Sequence, residues 1–310
     1  MPTGRRGHAR VAVLTVVEAE FDAALDALGA THEVGVTGVF APVVVDDPKP
    51  QVPFVVGRCA HRSNMPAQSS TTRMVEDWRP EILVLVGIAG GIMRASVGGG
   101  GVEWEGPAPG DVVLAEYIHY AEFTKNVPSG SKLRYFPIDQ PTSSLVQAHG
   151  DALRLAGQGA GAWHEALPVV RPSPGSPALH IGEIVAVEGV AGDPMNAQQK
   201  TYLQRFDHAV AVDMESGGVA RALHEARSDV HYNPRWMCIR AVSDRVYAVT
   251  NEQEEAALPG VENNAERDQW KGYAAAVAGA LTRRVLQRLL AEPREATSAD
   301  PGAAGLQGWV

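Results

Sequence analysis

The sequence has little cysteine, lacks a long apolar run and carries fewer basic than acidic residues. Its two cysteines, Cys59 and Cys238, lie far apart, and no CxxC pair or Cys/His cluster accompanies them. A disulfide framework and a zinc site are therefore not predicted, and we expect two buried thiols in a reducing compartment. No run of 18 apolar residues occurs, and the basic start leads into seven strand-like residues without a cleavage site. Neither a transmembrane helix nor a signal peptide is predicted, which favours a cytoplasmic protein.

The shortage of basic residues narrows the class of partner. The 310 residues include 27 Lys and Arg against 36 Asp and Glu, which gives a net charge of −9 with histidine neutral. Nucleic acid and anionic membrane surfaces select a basic face, so neither is a predicted partner. The hydrophobic share of 45% and the charged share of 20% are those of a globular chain that can bury a sizeable core.

Short apolar runs alternate with helical patterns along most of the chain. The runs are continuous in Val, Ile, Leu and Ala, as in strands that are covered on both faces. We therefore predict a single three-layer α/β/α domain over residues 10–291, with disordered ends at residues 1–9 and 292–310. Two segments, 94–110 and 245–267, are predicted to be long loops. The predicted strands span 11–17, 52–56, 82–88, 112–115, 183–187, 209–212 and 237–242, and the predicted helices span 19–28, 66–78, 198–205, 216–226 and 268–290.

A glycine-rich segment ends the third predicted strand. The sequence VLVGIAGGI, residues 84–92, indicates a buried strand that breaks into glycines. Glycines at such a point let the backbone approach a ligand and expose N–H groups to an anion or a hydroxyl. The spacing is neither GxGxxG nor GxxxxGK[ST], so no dinucleotide or P-loop fingerprint is present. A tight strand-to-helix turn without a ligand is the alternative interpretation.

Carboxylates follow three of the predicted strands. The segment AVDMES places Asp213 and Glu215 after an apolar strand, and on an extended backbone both side chains point to the same side. Glu18 and Glu20 follow the first strand, and Asp244 ends the segment IRAVSD. Open α/β sheets bind ligands at the carboxyl ends of their strands. Each carboxylate could also favour a helix N-terminus, but three at one sheet edge are less easily explained in that way.

A single arginine interrupts the last buried run. Arg240 needs an anionic or polar partner there, because an unpaired buried charge costs on the order of several kcal/mol. Asp244 and Glu20 are the partners that we consider for a purely structural role. Asp244 is also well placed for acid–base chemistry at the predicted strand end.

Four of these segments, in this order, resemble the purine nucleoside phosphorylase / methylthioadenosine–S-adenosylhomocysteine nucleosidase superfamily. They are VAVLTVVEAEF, RPEILVLVGIAGGI followed by GDVVLAEYIHY, AVDMES and IRAVSD, and QWKGYAAAVAGAL resembles the terminal helix of nucleosidase-like members. The resemblance covers roughly residues 10–290. It implies a nucleoside phosphorylase-like fold with a central mixed, twisted sheet. It also implies cleavage of the N-glycosidic bond of a purine nucleoside, with neither a metal nor an organic cofactor.

The resemblance assigns the leaving-group side of the reaction to Asp244. This residue matches the general acid that protonates or hydrogen-bonds N7 of the leaving purine, and Ser243 would orient it. An acid of this kind keeps its proton near neutral pH, so we expect a raised pKa for Asp244 from burial or a neighbouring anion. Ala89 and Gly90 match residues that line the sugar and nucleophile pocket.

The resemblance assigns the roles at the ribose to other carboxylates. Glu215 matches the residue that holds the ribose 2′- and 3′-hydroxyls, and Met214 matches the apolar floor under the sugar. Glu20 matches the carboxylate that activates water in hydrolytic members, and Arg240 would lie near it and the nucleophile. Such a division of labour suits an oxocarbenium-like sugar and an electron-rich leaving group.

The nucleophile can be water or phosphate in this superfamily. Phosphorylases carry phosphate-binding arginines in the first loop and before the glycine segment, whereas this chain has TVVEAEF in the first position and Leu85 and Ile88 around the second. A dianion would lack cations and would meet Glu20, so water is favoured. A phosphate-dependent phosphorylase and a non-catalytic nucleoside-binding module of the same fold are the alternatives.

Two departures from the family pattern leave the substrate open. Ile88 replaces a hydroxyl residue that hydrolytic members often carry. Residues 183–193 present Val187, Glu188 and Val190 where nucleosidases place an aromatic residue against the base, so Val190 is the predicted contact there. An adenosine-type nucleoside, with or without a modified 5′-position, is the predicted substrate. Family analogy favours a homo-oligomer, with a dimer first.

Overall fold

A computed structural model describes residues 7–30, 39–40, 51–98, 101–128, 130–158, 162–229, 232–260 and 263–291. The strands in these ranges are β1 (His8–Thr15), β2 (Val39–Phe40), β3 (Gln51–Arg58), β4 (Ile82–Gly98), β5 (Gly101–Glu105), β6 (Val112–Tyr120), β7 (Thr124–Val127), β8 (Gly130–Leu133), β9 (Leu179–Ala186), β10 (Ala209–Asp213) and β11 (Arg235–Ala248). The helices are α1 (Glu18–Leu28), α2 (Asn64–Trp78), α3 (Ser143–Ala156), α4 (Ala197–Arg205), α5 (Ser216–Ala226), α6 (Glu252–Ala256) and α7 (Asn263–Ala291).

A mixed sheet forms the centre of the fold. Its strands are hydrogen-bonded in the order β10, β9, β6, β11, β4, β1, β3 and β2, and β5 pairs with β4. The pairs β1–β4, β4–β11, β6–β9 and β9–β10 are parallel, whereas β6–β11 is antiparallel. Because β10 also pairs with β4 at Gly90 and Gly91, the strands β4, β10, β9, β6 and β11 close into a ring.

Helices cover both faces of the sheet. In β1, Val11 and Val13 pack in one core cluster with α1, α3 and α7, whereas Ala12 and Leu14 pack in a second cluster with α2 and α5. Alternate residues of a strand face opposite sides, so this division places one helical layer on each face. The prediction of a three-layer α/β/α fold with a mixed central sheet is confirmed.

The glycine-rich segment does not end its strand. β4 runs through Ile82–Gly98 without a break, so the predicted strand end at residue 88 and the turn after it are wrong. The glycines instead make room for other groups, since a Cβ atom on Gly87 would clash with the side chains of Arg240 and Glu20. A strand glycine often marks such a close approach.

The two predicted loops contain regular structure. Residues 94–110 include the end of β4 and its antiparallel partner β5, and residues 245–267 include the end of β11, α6 and the start of α7. Asp244 therefore lies inside β11 and not at its end. It follows a bulge, where the register of β11 against β4 shifts between Val242 and Asp244. The polar residues that interrupt the apolar run mark the wall of a cleft, as described below, and not the end of the strand.

Some boundaries and elements differ from the sequence prediction. β1 begins at His8, inside the segment 1–9 that was expected to be disordered, while residues 1–6 and 292–310 lie outside the described residues. Helix α3 was not predicted, although it buries Leu145, Val146 and Leu153 against the sheet. The β7–β8 hairpin was also missed. Both cysteines are free and buried, as expected. Among the described helices, none is both long and apolar enough to cross a membrane.

Candidate active site

One cleft collects most of the side chains that the sequence singled out. Water-sized groups fit in about 60 Å³ of it, and its whole empty space, including the open mouth, is about 530 Å³. Eight of the nine predicted site residues line it, namely Glu20, Ala89, Gly90, Val190, Met214, Glu215, Ser243 and Asp244. The ninth, Arg240, is fully buried and lies outside the lining of the cleft. Ala89 and Gly90 lie in β4, Arg240, Ser243 and Asp244 lie in β11, and Met214 and Glu215 directly follow β10. These three strands are neighbours in the closed ring, whereas Glu20 comes from α1 and Val190 from the segment after β9.

Glu20 is held by backbone N–H groups from two elements. Val16 and Val17 donate to its Oε2 at 2.8 and 2.9 Å, and Ile88 of β4 donates to its Oε1 at 2.9 Å. The first two bonds fix the start of α1, since the N-terminal N–H groups of a helix lack partners within the helix. The carboxylate is almost fully buried, at 3% exposure, but it still reaches the cleft. Glu20 therefore joins α1 to β4 and presents a fixed acceptor to the cleft.

Arg240 is paired with two carboxylates of the AVDMES segment. Its Nε and Nη2 lie 2.8 and 2.6 Å from Asp213 Oδ2, and Nη2 lies 3.3 Å from Glu215 Oε2. The partners considered from sequence, Asp244 and Glu20, are thus not its hydrogen-bonded partners. The same-side placement of Asp213 and Glu215, which the extended backbone predicted, explains how one guanidinium reaches both.

One nitrogen of the Arg240 guanidinium makes no hydrogen bond. The Nη1 group of Arg240 is buried and has no hydrogen-bond partner. It lies close to Gly87, and Oε1 of Glu20 lies close to the same glycine. The buried Nη1 group and Oε1 of Glu20 therefore both lie against Gly87 of β4, and Glu20 is the one of the two residues that lines the cleft.

Glu215 lies in an environment that disfavours its charge. Burial raises its pKa to about 7, and Asp213 and Glu20 add to the rise, whereas Arg240 and the N–H of Ser63 oppose it. Ser63 donates to Oε1 of Glu215 at 3.1 Å. Asn64, which follows Ser63 and begins α2, packs directly against Gly218 of α5. A Cβ on Gly218 would collide with the backbone of Asn64, so the glycine allows this start of α2 to approach α5.

Asp244 is surrounded by neutral donors. Ser243 donates its hydroxyl to Oδ1 at 2.5 Å, and Asn263 of α7 donates Nδ2 to Oδ2 at 2.7 Å. Burial is the main reason why the pKa of Asp244 is raised above its ordinary value, while these hydrogen bonds and the nearby Arg267 lower it in part. The net result is a carboxyl group that holds its proton to higher pH than an exposed aspartate.

The rest of the cleft is mostly apolar. Met214 is half-buried between the two carboxylates of its segment, and Gly90 lies near Asp244 and Val212. On the opposite wall, Val190 is 53% exposed and no aromatic side chain lines the cleft among the described residues. The walls therefore suit a partly apolar ligand that also carries groups able to bond to carboxylates.

Several lining or contacting residues were not identified from the sequence. Asp213 was seen as one of a pair of carboxylates but received no role. Four others belong to no recognisable motif. Arg62 and Ser63 lie in the loop before α2, and Asn263 and Arg267 lie near the start of α7. Only the tertiary contacts of α2 and α7 bring them to the cleft. No group of three or more metal-binding side chains occurs within the described residues.

The raised pKa of Glu215 predicts an effect on stability. Below its ordinary value of 4.5 the carboxyl is neutral in the folded and the unfolded chain; as pH rises, the unfolded chain ionises first and the folded state loses stability until about pH 7. We expect Glu215→Gln to be more stable than the wild type at pH 8, by up to about 3 kcal/mol.

Urea unfolding at pH 5 and pH 8 measures this difference. The gain should shrink towards pH 5, where both proteins are nearly neutral at this position. The exposed Glu103→Gln is the matched control and should change little at either pH. An equal or lower stability of Glu215→Gln at pH 8 would contradict the assignment of a raised pKa.

Comparison with known proteins assigns the chain to a family. A sequence profile of the phosphorylase superfamily matches residues 10–286. No curated protein matches the sequence significantly.

Three solved structures illustrate the likeness of fold. The 5′-methylthioadenosine/S-adenosylhomocysteine nucleosidase of Neisseria meningitidis, in complex with methylthio-immucillin-A, has 17% identity and a TM-score of 0.61, with 90% of this chain and 98% of that chain covered. The corresponding nucleosidase of Colwellia psychrerythraea 34H, in complex with adenine, has 14% identity and a TM-score of 0.59, with 92% and 97% covered. The futalosine hydrolase of Helicobacter pylori has 15% identity and a TM-score of 0.60, with 91% and 98% covered. Since the profile spans nearly all of the described fold, the chain belongs to the phosphorylase superfamily.

Proposed function

We propose that the protein is a hydrolase that cleaves the N-glycosidic bond of an adenosine-type nucleoside, with or without a modified 5′-position, and releases the free base and the sugar. The observation that carries this proposal is the convergence of Glu20, Glu215 and Asp244 on one cleft in three different environments. Carboxyl groups that differ in this way can divide acid, base and cation-stabilising roles among themselves. Family membership and the nucleosidase fold of the similar structures support the same reaction class.

Asp244 supplies the proton on the leaving-group side. A purine anion leaves slowly, so protonation or a strong hydrogen bond at N7 lowers the barrier. Burial raises the pKa of Asp244 and so favours its protonated form, and the bonds from Ser243 and Asn263 fix the plane of its carboxyl group. The acid is therefore oriented before the substrate binds.

Glu215 and Glu20 act on the sugar side. Glu215 accepts hydrogen bonds from the ribose hydroxyls over Met214, and its charge stabilises the cation that develops at C1′. Glu20, which lines the cleft, would accept a hydrogen bond from the attacking water, and the buried guanidinium of Arg240 lies behind it, with Nη1 against the same glycine as Oε1 of Glu20. Arg240 then acts as a positioning residue, because its other two donors are held by Asp213 and Glu215.

Water is the nucleophile in this proposal because the buried charge near Glu20 is negative on balance. Asp213, Glu215 and Glu20 surround the buried guanidinium of Arg240. The other two cations that line the cleft are the exposed Arg62 and Arg267, which lies near Asp244, so the buried charge around Glu20 does not favour a phosphate dianion. The deciding experiment incubates the protein with adenosine and with 5′-methylthioadenosine, with and without phosphate. Hydrolysis gives adenine and a reducing sugar at a rate independent of phosphate. Phosphate-dependent formation of a sugar 1-phosphate would establish the phosphorylase alternative, and binding of adenine without turnover would favour the non-catalytic module.

Loss of the proposed base should reduce turnover more than product binding. We expect Glu20→Gln to lower kcat about 10²-fold, at the lower end of the range for a general base. The dissociation constant for adenine should stay within about threefold, since Glu20 lies on the sugar side. Steady-state kinetics and calorimetry with adenine measure the two effects. Equal losses in both would instead assign Glu20 to the fold of the cleft, through its bonds to Val16, Val17 and Ile88.

The assembly and the compartment remain predictions. A homo-oligomer, with a dimer first, and a cytoplasmic location rest on family analogy and on composition. Sedimentation analysis measures the first directly, and a monomer with full activity would contradict it.

A further inference from the structure

A second cavity adjoins the cleft beside Asp244. Water-sized groups fit in about 130 Å³ of this side cavity, against about 60 Å³ of the cleft. Ala191 and Val246 line both spaces. Asn263 lines the side cavity and donates its Nδ2 to Oδ2 of Asp244 at 2.7 Å. The side cavity therefore begins at the carboxyl group that the proposed reaction uses as its acid.

One amide oxygen in the side cavity lacks a partner. The Oδ1 atom of Asn263 is buried and accepts no hydrogen bond. Arg245 and Glu266 also line the space, but they form an ion pair with each other. A buried polar group without a partner costs about 1–3 kcal/mol, so the cavity suits a neutral ligand group that supplies the missing bond.

The shape of a purine connects the two spaces. In the proposed function N7 of the base faces Asp244, and the substituent on C6 is the neighbour of N7 on the ring. That substituent therefore points past Asp244 towards Asn263. A 6-amino group brings N–H donors to the unpaired Oδ1, and a cavity of about 130 Å³ has room for several further heavy atoms. The lack of a side chain at Gly192 keeps this room open.

We propose that the side cavity is a subsite for an alkyl substituent on the 6-amino group of the purine. In this arrangement Oδ1 of Asn263 accepts the remaining N–H of the substituted amine. The orientation of the base rests on the proposed function. The preferred ligands are accordingly N6-monosubstituted adenines and their nucleosides.

Calorimetric binding of free bases tests the subsite without any need for turnover. N6-ethyladenine and N6,N6-dimethyladenine are isomers of equal size, but only the first keeps an N–H on the 6-amino group. We expect N6-ethyladenine to bind within about threefold of adenine or more tightly, and the dimethyl isomer to bind at least about tenfold more weakly than N6-ethyladenine. A larger loss for N6-ethyladenine, equal binding of the two isomers, or no binding of any base would each overturn the proposal. Hydrolysis of adenosine is assayed separately, so a failure of the proposed reaction is recognised independently of these affinities.

A substitution at Gly192 locates the subsite. A Cβ there would lie 3.5 Å from Oδ1 of Asn263, an ordinary contact, so the side chain of Gly192→Leu should extend into the side cavity without strain. We expect the ratio of the affinities for N6-ethyladenine and adenine to fall at least about tenfold. Gly260→Leu is the matched control, because nothing lies within 4 Å of a Cβ at that position. An unchanged ratio in Gly192→Leu would overturn the placement, and the wild-type series of bases decides the matter if that variant does not fold.

Discussion

Asp244→Asn should lower kcat about 10²–10⁴-fold while the protein stays folded, because that is the usual contribution of a general acid. Asparagine has nearly the same shape and can still donate a hydrogen bond to N7, but it cannot transfer a proton. The wild type should also lose activity as pH rises through the raised pKa of Asp244, since only the protonated form is competent. The pH–rate profile of the variant should lack this alkaline limb.

The measurement combines steady-state kinetics over a pH series with circular dichroism as a check on folding. Asp207→Asn is a matched control, because the side chain of Asp207 is 73% exposed and lies away from the cleft. A variant at Asp244 whose kcat stays within about threefold of the wild type would remove this residue from the mechanism. So would a variant that keeps the alkaline limb.

Arg240→Met should lower the free energy of unfolding by about 3–5 kcal/mol, the usual cost of removing one partner of a buried ion pair. The substitution leaves Asp213 and Glu215 buried without their cation, and the side chain that it replaces is fully buried. The loss should be larger at pH 8 than at pH 5, because Glu215, whose pKa is raised to about 7, escapes the penalty at pH 5 by binding a proton.

Urea unfolding of single and double variants tests this account. Adding Asp213→Asn to Arg240→Met should recover part of the lost stability, since it removes one of the stranded charges. Arg283→Met on the exposed side of α7 is the control and should change stability by less than about 0.5 kcal/mol. An Arg240→Met protein as stable as the wild type, or a double variant less stable than the single one, would show that the ion pair is not the main role of Arg240.

The sequence was sufficient for the fold class and for bringing most of the candidate site residues together in one cleft. Continuous apolar runs predicted strands covered on both faces, and carboxylates beyond these runs predicted that Glu20, Glu215 and Asp244 would meet. That reasoning succeeded although Asp244 lies inside its strand. A polar residue that lines a cleft interrupts an apolar run in the same way as a strand end does.

Other features depend on contacts that no local pattern records. The partners of Arg240 were misidentified because the choice among four nearby carboxylates depends on how β10 and β11 are placed in the ring. The glycines of β4 were taken for a turn, since their role is to admit the side chains of Arg240 and Glu20 from other elements. Asn263 reaches Asp244 only because α7 begins beside β11.

The double pairing of β10 has a mechanical consequence. Because β10 is hydrogen-bonded to β9 along one edge and to β4 along the other, we expect the end of β10 to keep a fixed distance from Gly90 of β4. Val187 and Glu188 are tied to neighbouring residues by hydrogen bonds, so any movement of the wall after β9 is expected in Gly189 and Val190, which are exposed. One wall of the cleft would then be rigid and the other mobile. Amide exchange should accordingly be slow in β10 and fast around Val190.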